Sequence, residues 1–270
     1  MNFETLAVRL DGAVATIFLN RPDKANAMNR PMWEELHAAM RWVDETPAIR
    51  VAILAAHGKL FTAGIDLALL DELRQSVASG CAGRAREQLR RDLLKLQAAI
   101  NAVERCRKPV IAAIHGACIG GGVDLVTACD MRYCCEGAWF SIREIDVGLT
   151  ADVGTLQRLP GLIGEGMARE LAYTGRTVQG REAADIRLVN RCYDDADAMR
   201  AGVDGLAQAM AAKSPLALRG CKEMITYARD HTVADALEYV ATWNASMLVS
   251  DDLEEALRAG REKRAPRFAD

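Results

Sequence analysis

A triple glycine, Gly120-Gly121-Gly122, sits between an apolar β-type run, Val110-Ile111-Ala112-Ala113-Ile114, and the apolar helical start Val123-Asp124-Leu125-Val126. Backbone NH groups at a glycine-lined helix start have no partner inside the helix and point at whatever lies in front of it. Such a place can hold negative charge developing on an oxygen. Of the carboxylates that come soon after, two stand out: Glu144 in Ile142-Arg143-Glu144-Ile145, and Asp152 in Leu149-Thr150-Ala151-Asp152-Val153-Gly154. With Asp124 they make three acids in an apolar, glycine-punctuated region. That is the strongest chemical clue in the chain.

The rest of the sequence sets bounds on that clue. With 270 residues, half of them hydrophobic, one large domain or a domain with an appendage is expected. A net charge of −3 points away from nucleic-acid and membrane partners. No apolar run reaches the ~20 residues that span a bilayer. Met1-Asn2-Phe3-Glu4 lacks the basic and apolar parts of a secretory signal, and Arg267-Phe268-Ala269-Asp270 is not a Ser-Lys-Leu address, so the expected location is cytoplasmic. The eight cysteines form no C-x-x-C pair and His37, His57, His115 and His231 show no ligand spacing. The expectation is reduced core cysteines and no metal.

Taken in order, Thr5-Leu6-Ala7-Val8-Arg9-Leu10 and Val14-Ala15-Thr16-Ile17-Phe18-Leu19 read as strands joined at Asp11-Gly12, a hairpin signal. A polar loop over 20–29 precedes Pro31 and an amphipathic helix over 32–43 with Leu36, Met40 and Val43 on one face. Val51-Ala52-Ile53-Leu54-Ala55 is a short buried strand, and the loop 58–66 leads into another helix. The stretch 76–83 turns small and polar, as a mobile insertion would. Over 84–107, Leu89, Leu93, Leu96, Ile100 and Val103 mark a long amphipathic helix, whose Arg84, Arg86, Arg90, Arg91 and Lys95 read as a solvated face. Short strands are expected over 131–135 and 139–142. After Pro160 the pattern turns helical over 164–173, 181–186, 196–212, 214–228, 233–247 and 251–259, with one strand at 188–191. Strand–helix alternation followed by helices predicts an α/β core at 1–195 and a helical region at 196–270 that could be self-contained or could pack between subunits.

Arg21-Pro22-Asp23-Lys24-Ala25-Asn26-Ala27-Met28, then Gly58-Lys59-Leu60-Phe61-Thr62-Ala63-Gly64-Ile65-Asp66, then His115-Gly116 with Gly120-Gly121-Gly122 and Asp124-Leu125, in this order and spacing, resemble the enoyl-CoA hydratase/isomerase (crotonase) superfamily. The likeness runs to Glu262-Lys263-Arg264-Ala265-Pro266-Arg267-Phe268. It implies a spiral of β-β-α turns with a helical C-terminal trimerisation region, a homotrimer or homohexamer, and an acyl-CoA thioester as substrate. No cofactor is implied beyond the coenzyme A that the substrate carries. Carried over by position, the backbone NH groups of Ile65 and Gly121 would form the oxyanion hole. Lys24, Ala25 and the loop Ala63, Gly64, Asp66 and Leu67 would flank the coenzyme A moiety. Lys24 reads equally well as a solvated loop lysine.

Hydratases of this superfamily carry glutamate where this chain has Asp124 and Glu144, and Pro-Gly where it has Ala151-Asp152. The aspartate, the third acid and the run from Glu144 to Pro160 resemble the Δ3,5-Δ2,4-dienoyl-CoA isomerase branch. That resemblance implies loss of a proton at C2, an extended dienolate, and reprotonation at C6, with Glu144 and Asp152 transferring protons and Asp124 orienting the site or raising a neighbour's pKa. By itself Asp152 reads as a helix N-cap. The alternatives are a 2-enoyl-CoA hydratase of the same fold and a noncatalytic CoA-fold protein that binds RNA or a partner.

Overall fold

The computed structural model describes residues 3–78 and 80–270, so Met1, Asn2 and Ser79, the last within the 76–83 stretch, lie outside it. Strands β1 (Leu6–Asp11) and β2 (Val14–Leu19) form the expected antiparallel hairpin. Strand β3 (Val51–Ala56) pairs parallel with β2, and β4 (Val110–Ile114) parallel with β3. Every residue of β3 and β4 is buried, as in strands covered on both faces. Strand β5 (Ala117–Ile119) follows β4 after a two-residue turn and belongs to a different sheet. Strand β6 (Met131–Cys135) returns to the large sheet and β7 (Trp139–Ser141) to the small one. With β8 (Val178–Gln179) and β9 (Arg191–Tyr193), the sheets run β1-β2-β3-β4-β6-β9 and β5-β7-β8. β4 with β5 and β6 with β7 each place one strand in either sheet before the next helix, whereas β1 and β2 both lie in the large sheet ahead of the first helix. The expected β-β-α spiral is present.

Helix α1 (Arg30–Glu45) starts at Asn29, whose side chain accepts from the Met32 NH, with Pro31 in the first turn; Met32, Leu36, Met40 and Val43 are buried. Helix α2 (Leu67–Ser76) is followed by α3 (Ala82–Arg105), which buries Leu96, Ile100 and Val103. Arg84, Arg86, Arg90, Arg91 and Lys95 are exposed, so the basic stripe is a solvated face. Helix α4 (Gly121–Thr127) is entirely buried and α5 (Thr155–Ile163) packs beside it. Helices α6 (Glu165–Thr174), α7 (Gly180–Asp185) and α8 (Ala196–Ala211) complete the core, and α9 (Pro215–Tyr227), α10 (Val233–Met247) and α11 (Asp251–Glu262) extend from it. Among the described residues all cysteines are free, and Cys106, Cys118, Cys129, Cys134 and Cys135 are buried.

Two expectations shift. The strand expected at 188–191 lies at Arg191–Tyr193, because the Arg132 side chain takes the Leu188 carbonyl and the Asn190 side chain takes the Arg132 NH. Leu188 and Val189 are buried without strand pairing. The division at 195/196 cuts ahead of α8, yet α8 packs across β2, β3, β4, β6 and β9 and buries Met199, Val203 and Ala207. By packing, the core continues to Ala211 and the appended helices are α9–α11.

The polar loop over 20–29 is held by Asn26. It is fully buried at φ +48°, a left-handed conformation that asparagine tolerates better than most residues. Its Oδ1 accepts from the Arg21 NH at 2.8 Å, and its Nδ2 donates to the carbonyls of His57 (2.8 Å) and Leu60 (3.0 Å). Asn26→Ala strands all three groups. It should lower the unfolding free energy by about 2–4 kcal/mol, read as a lower denaturant midpoint at unchanged m-value.

Candidate active site

Two backbone NH groups come together where the loop after β3 meets the start of α4. Met28 and Ile65 form an isolated parallel bridge, in which the Met28 NH donates to the Gly64 carbonyl (2.8 Å) and the Asp66 NH to the Met28 carbonyl (3.1 Å). Strand geometry turns successive NH groups to opposite sides, so the Ile65 NH faces away from Met28. Among the described residues it has no acceptor, and neither does the NH of Gly121, the first residue of α4. Gly64 brings the two close. It sits at φ +89°, and a Cβ there would lie 2.7 Å from the Ile119 carbonyl oxygen and 3.5 Å from the Gly121 nitrogen. Only glycine permits that approach.

Three acids border this pair. Asp124, one turn into α4, is fully buried; its Oδ1 accepts from the Thr155 NH at 2.5 Å and its Oδ2 has no partner. Burial pushes its pKa up to about 6, against the lowering effect of Thr155. Glu144 lies in the 3₁₀ turn Arg143–Val147 after β7. Its Oε1 lies 3.0 Å from where a Cβ on Gly120 would be, so Gly120, at φ +51°, clears the space. Its Oε2 is buried without a partner. Burial first, and the nearby charges of Asp124 and Asp152, push its pKa up to about 7. Asp152, also raised by desolvation, is exposed at the rim of a cavity of about 650 Å³ that continues along Gln97, Asn101 and Arg158. That cavity meets the acid cluster only at Asp152.

The N-cap reading of Asp152 fails. Gly154 occupies the N-cap of α5 without a side-chain bond, and it is the carboxylate of Asp124 that takes the first amide of the helix.

The loop residues split into two groups. Lys24 and Ala63 are exposed on one lip, tied by the bond from the Ala63 NH to the Ala25 carbonyl (3.0 Å), and Leu67 is exposed beside them. Ala25 is left-handed at φ 51°. Asp66 is occupied otherwise: its Oδ1 caps α2 through the Ala68 NH (3.1 Å), and its Oδ2 accepts from Arg21 at 2.9 Å. That hydrogen bond to Arg21 holds its carboxyl below the usual range. Sequence reasoning gave Arg21 no role, though the residue opens the first motif; its guanidinium also donates to the Ala27 carbonyl and so ties the two loops.

The raised acids make stability depend on pH. Native Glu144 keeps its proton up to about pH 7, whereas an ordinary glutamate releases it near 4.5. The native state therefore binds more protons than the unfolded state between these values, and stability falls as pH rises through that window. Glu144→Gln removes this dependence. The variant should match the parent protein near pH 4 and unfold at a higher temperature near pH 8, by calorimetry across that range. An equal difference at both pH values would contradict the burial of the carboxylate.

Residues 9–270 match the sequence profile described as enoyl-CoA hydratase/isomerase. The chain is 48% identical over 267 residues to a protein of Arabidopsis thaliana named Delta(3,5)-Delta(2,4)-dienoyl-CoA isomerase, peroxisomal, covering 98% of this chain and 96% of that one. It is 45% identical to the mitochondrial protein of the same enzyme name from Mus musculus, covering 97% and 81%. The crystal structure of an enoyl-CoA hydratase from Bacillus anthracis superposes with a TM-score of 0.89 at 30% identity, covering 98% and 99%. With the profile matched almost end to end and the fold shared, the chain belongs to the enoyl-CoA hydratase/isomerase family and has its crotonase fold.

Proposed function

We propose that the protein converts 3,5-dienoyl-CoA to 2,4-dienoyl-CoA. The observation that carries this reading is the trio of carboxyls with raised pKa beside two unclaimed NH groups. The relatives named as dienoyl-CoA isomerases support it. In this reading the thioester oxygen accepts from the NH groups of Ile65 and Gly121, which stabilise the charge that grows there as the C2 proton leaves. One carboxylate takes that proton. The charge spreads along the conjugated chain, and a second, protonated carboxyl delivers a proton at C6. The electron pair of the broken C2–H bond becomes the C2=C3 bond, the C3=C4 pair moves to C4=C5, the C5=C6 pair forms the new C6–H bond, and no net proton is gained or lost. The two carboxyls exchange protonation states and reset with solvent.

Such a cycle needs one acid and one base at the same pH, which carboxyls raised by burial above their usual range can supply. Glu144 and Asp152 are the pair assigned to proton transfer. Asp124 anchors α5 and raises Glu144 by like-charge repulsion. Lys24, Ala25, Ala63, Gly64, Asp66 and Leu67 would border the coenzyme A moiety; for Asp66 the role is to hold the loop through Arg21. A 2-enoyl-CoA hydratase needs two carboxylates to hold one water, but here one oxygen of Asp124 is committed to Thr155. A noncatalytic binding protein has no use for two buried acids, Asp124 and Glu144, kept short of partners.

The reading includes a homotrimer or homohexamer. It rests on α9–α11, which expose Leu237, Leu248, Val249 and Leu257 among other apolar side chains. It also keeps the expected cytoplasmic location, although the curated relatives are named for the peroxisome and the mitochondrion; cell fractionation decides that point. No helix of the described residues is long and apolar enough to cross a membrane.

Purified protein should isomerise 3,5-octadienoyl-CoA far faster than it hydrates crotonyl-CoA, followed by product absorbance; comparable hydration would leave only the family. Asp152→Asn keeps the shape and removes the titrating group, and should cut turnover about 10²–10⁴-fold. Near-normal turnover with an intact circular dichroism spectrum would remove Asp152 from the chemistry. Light scattering at micromolar concentration should give a trimer or hexamer, and a monomer would sink that part.

A further inference from the structure

The guanidinium of Arg158 lies where no role has yet been given to a cation. Arg158 is on the first turn of α5, three residues after Thr155, the residue that binds Asp124. Its side chain folds back over the helix start, so that a Cβ on Gly154 would collide with Nη1. This holds a positive charge over the start of α5, close enough to Asp124 to act on its carboxyl. The side chain is only 11% exposed, so water screens that charge weakly. The amide end of the α5 dipole adds potential of the same sign. Left alone, such a cation would hold the neighbouring carboxyls ionised.

Glu104, on the facing side of α3, takes up this charge. Its Oε1 and Oε2 accept from Nε (3.2 Å) and Nη2 (2.9 Å) of Arg158, and Asn101 Oδ1 accepts from the same Nη2 at 2.7 Å. Arg229 donates to Glu104 from the outer side at 2.7 Å. We propose that Glu104 is a positioning residue for the acid cluster: it clamps the Arg158 guanidinium and neutralises it, so that Arg158 fixes the start of α5 without becoming the counter-ion of Asp124 and Asp152. The charged groups around Asp124 are few. Arg158 stands on α5, Asp152 on the segment before it and Glu144 on the 3₁₀ turn; Glu104 comes from α3, and Arg229 and Asp230 lie beyond it at the cavity edge. Helix α4 itself carries no other charge. Among the described residues, Glu104 is thus the carboxylate that pairs with Arg158, and it is shared with Arg229.

The inference rests on the proposed function, in which Glu144 and Asp152 transfer protons beside Asp124, and its test reads the acid cluster without substrate. Carbon-13 NMR of carboxyl-labelled protein follows the titration of Asp124 directly. Glu104→Gln keeps the size and one acceptor but frees the charge of Arg158, and should move that titration to lower pH by about half a pH unit or more. Arg158→Gln should move it to higher pH, and the double variant should return it close to the parent. In turnover with the dienoyl thioester, the pH profile should move in the same directions. Opposite shifts identify a charge effect, because loss of a structural contact has no reason to reverse sign. Shifts of one sign in both variants, or none in either, overturn the proposal. If Glu104→Gln fails to fold, Arg158→Gln alone decides, since an unchanged or lowered titration of Asp124 refutes it. A failed turnover assay with the NMR shifts intact would remove the isomerase reading and leave the charge clamp standing.

Discussion

The hydrogen bond from the Thr155 NH to Asp124 is the contact on which the site depends. It joins two helix starts that come from different turns of the spiral. Helix α4 brings the free Gly121 amide; α5 follows the segment that carries Asp152. A fully buried carboxylate with no partner would be costly, and one with every lone pair satisfied would be a weak acid-base group. Asp124 stands between these limits, with one oxygen bonded and the other bare. That half-satisfaction locks the geometry and still leaves the carboxyl able to take a proton near neutrality.

The unclaimed amides follow from equally ordinary geometry. Extended chain offers NH groups alternately to either side, so the bridge between Met28 and Ile65 uses the groups of Gly64 and Asp66 and leaves that of Ile65 free. A helix start leaves its first amides free for a different reason. The fold then only has to bring an alternation and a terminus together, and Gly64 lets it do so. Asn26 and Arg21 hold the same loop from behind, with buried hydrogen bonds at one end and the pair with Asp66 at the other. The proposed coenzyme A lip and the amide pair are thus parts of one rigid loop system.

What could be read from sequence was whatever repeats over several residues. The apolar period of four and three gave α1 and α3, and the fully apolar runs gave β3 and β4, because burial on one face or two leaves a local pattern. Strands β5 and β8, with three and two residues, are too short to show alternation. Helix α5 holds Pro160 and begins at a glycine, so its signals pointed elsewhere. The helix α8 was visible, but its attachment to the sheet was not, since its apolar face looks the same against a sheet or against another subunit. Among the site residues, the three acids were found by type and motif. The partner of Asp124 was missed because Thr155 offers a backbone amide, and no side chain announces it. Arg21 and Arg158 were passed over for a related reason: their partners, Asp66 and Glu104, lie 45 and 54 residues away.

The bare oxygens of Asp124 and Glu144 also explain why proton transfer from carbon suits this architecture. A C–H group gives no hydrogen bond to a waiting base, so nothing in the substrate offsets the loss of water around a buried carboxylate. The carboxylate therefore stays more basic than in water, by the same desolvation that raises Glu144 to about 7. On the other side of the proposed reaction, the two amides would lower the energy of the enolate oxygen and so make the C2 proton more acidic. The two effects bring donor and acceptor toward each other from opposite directions, and transfer is fastest when they meet. A carboxylate fully satisfied by protein donors would be better for stability and too weak a base. The orphaned oxygens are the part of the fold that stability alone would have removed.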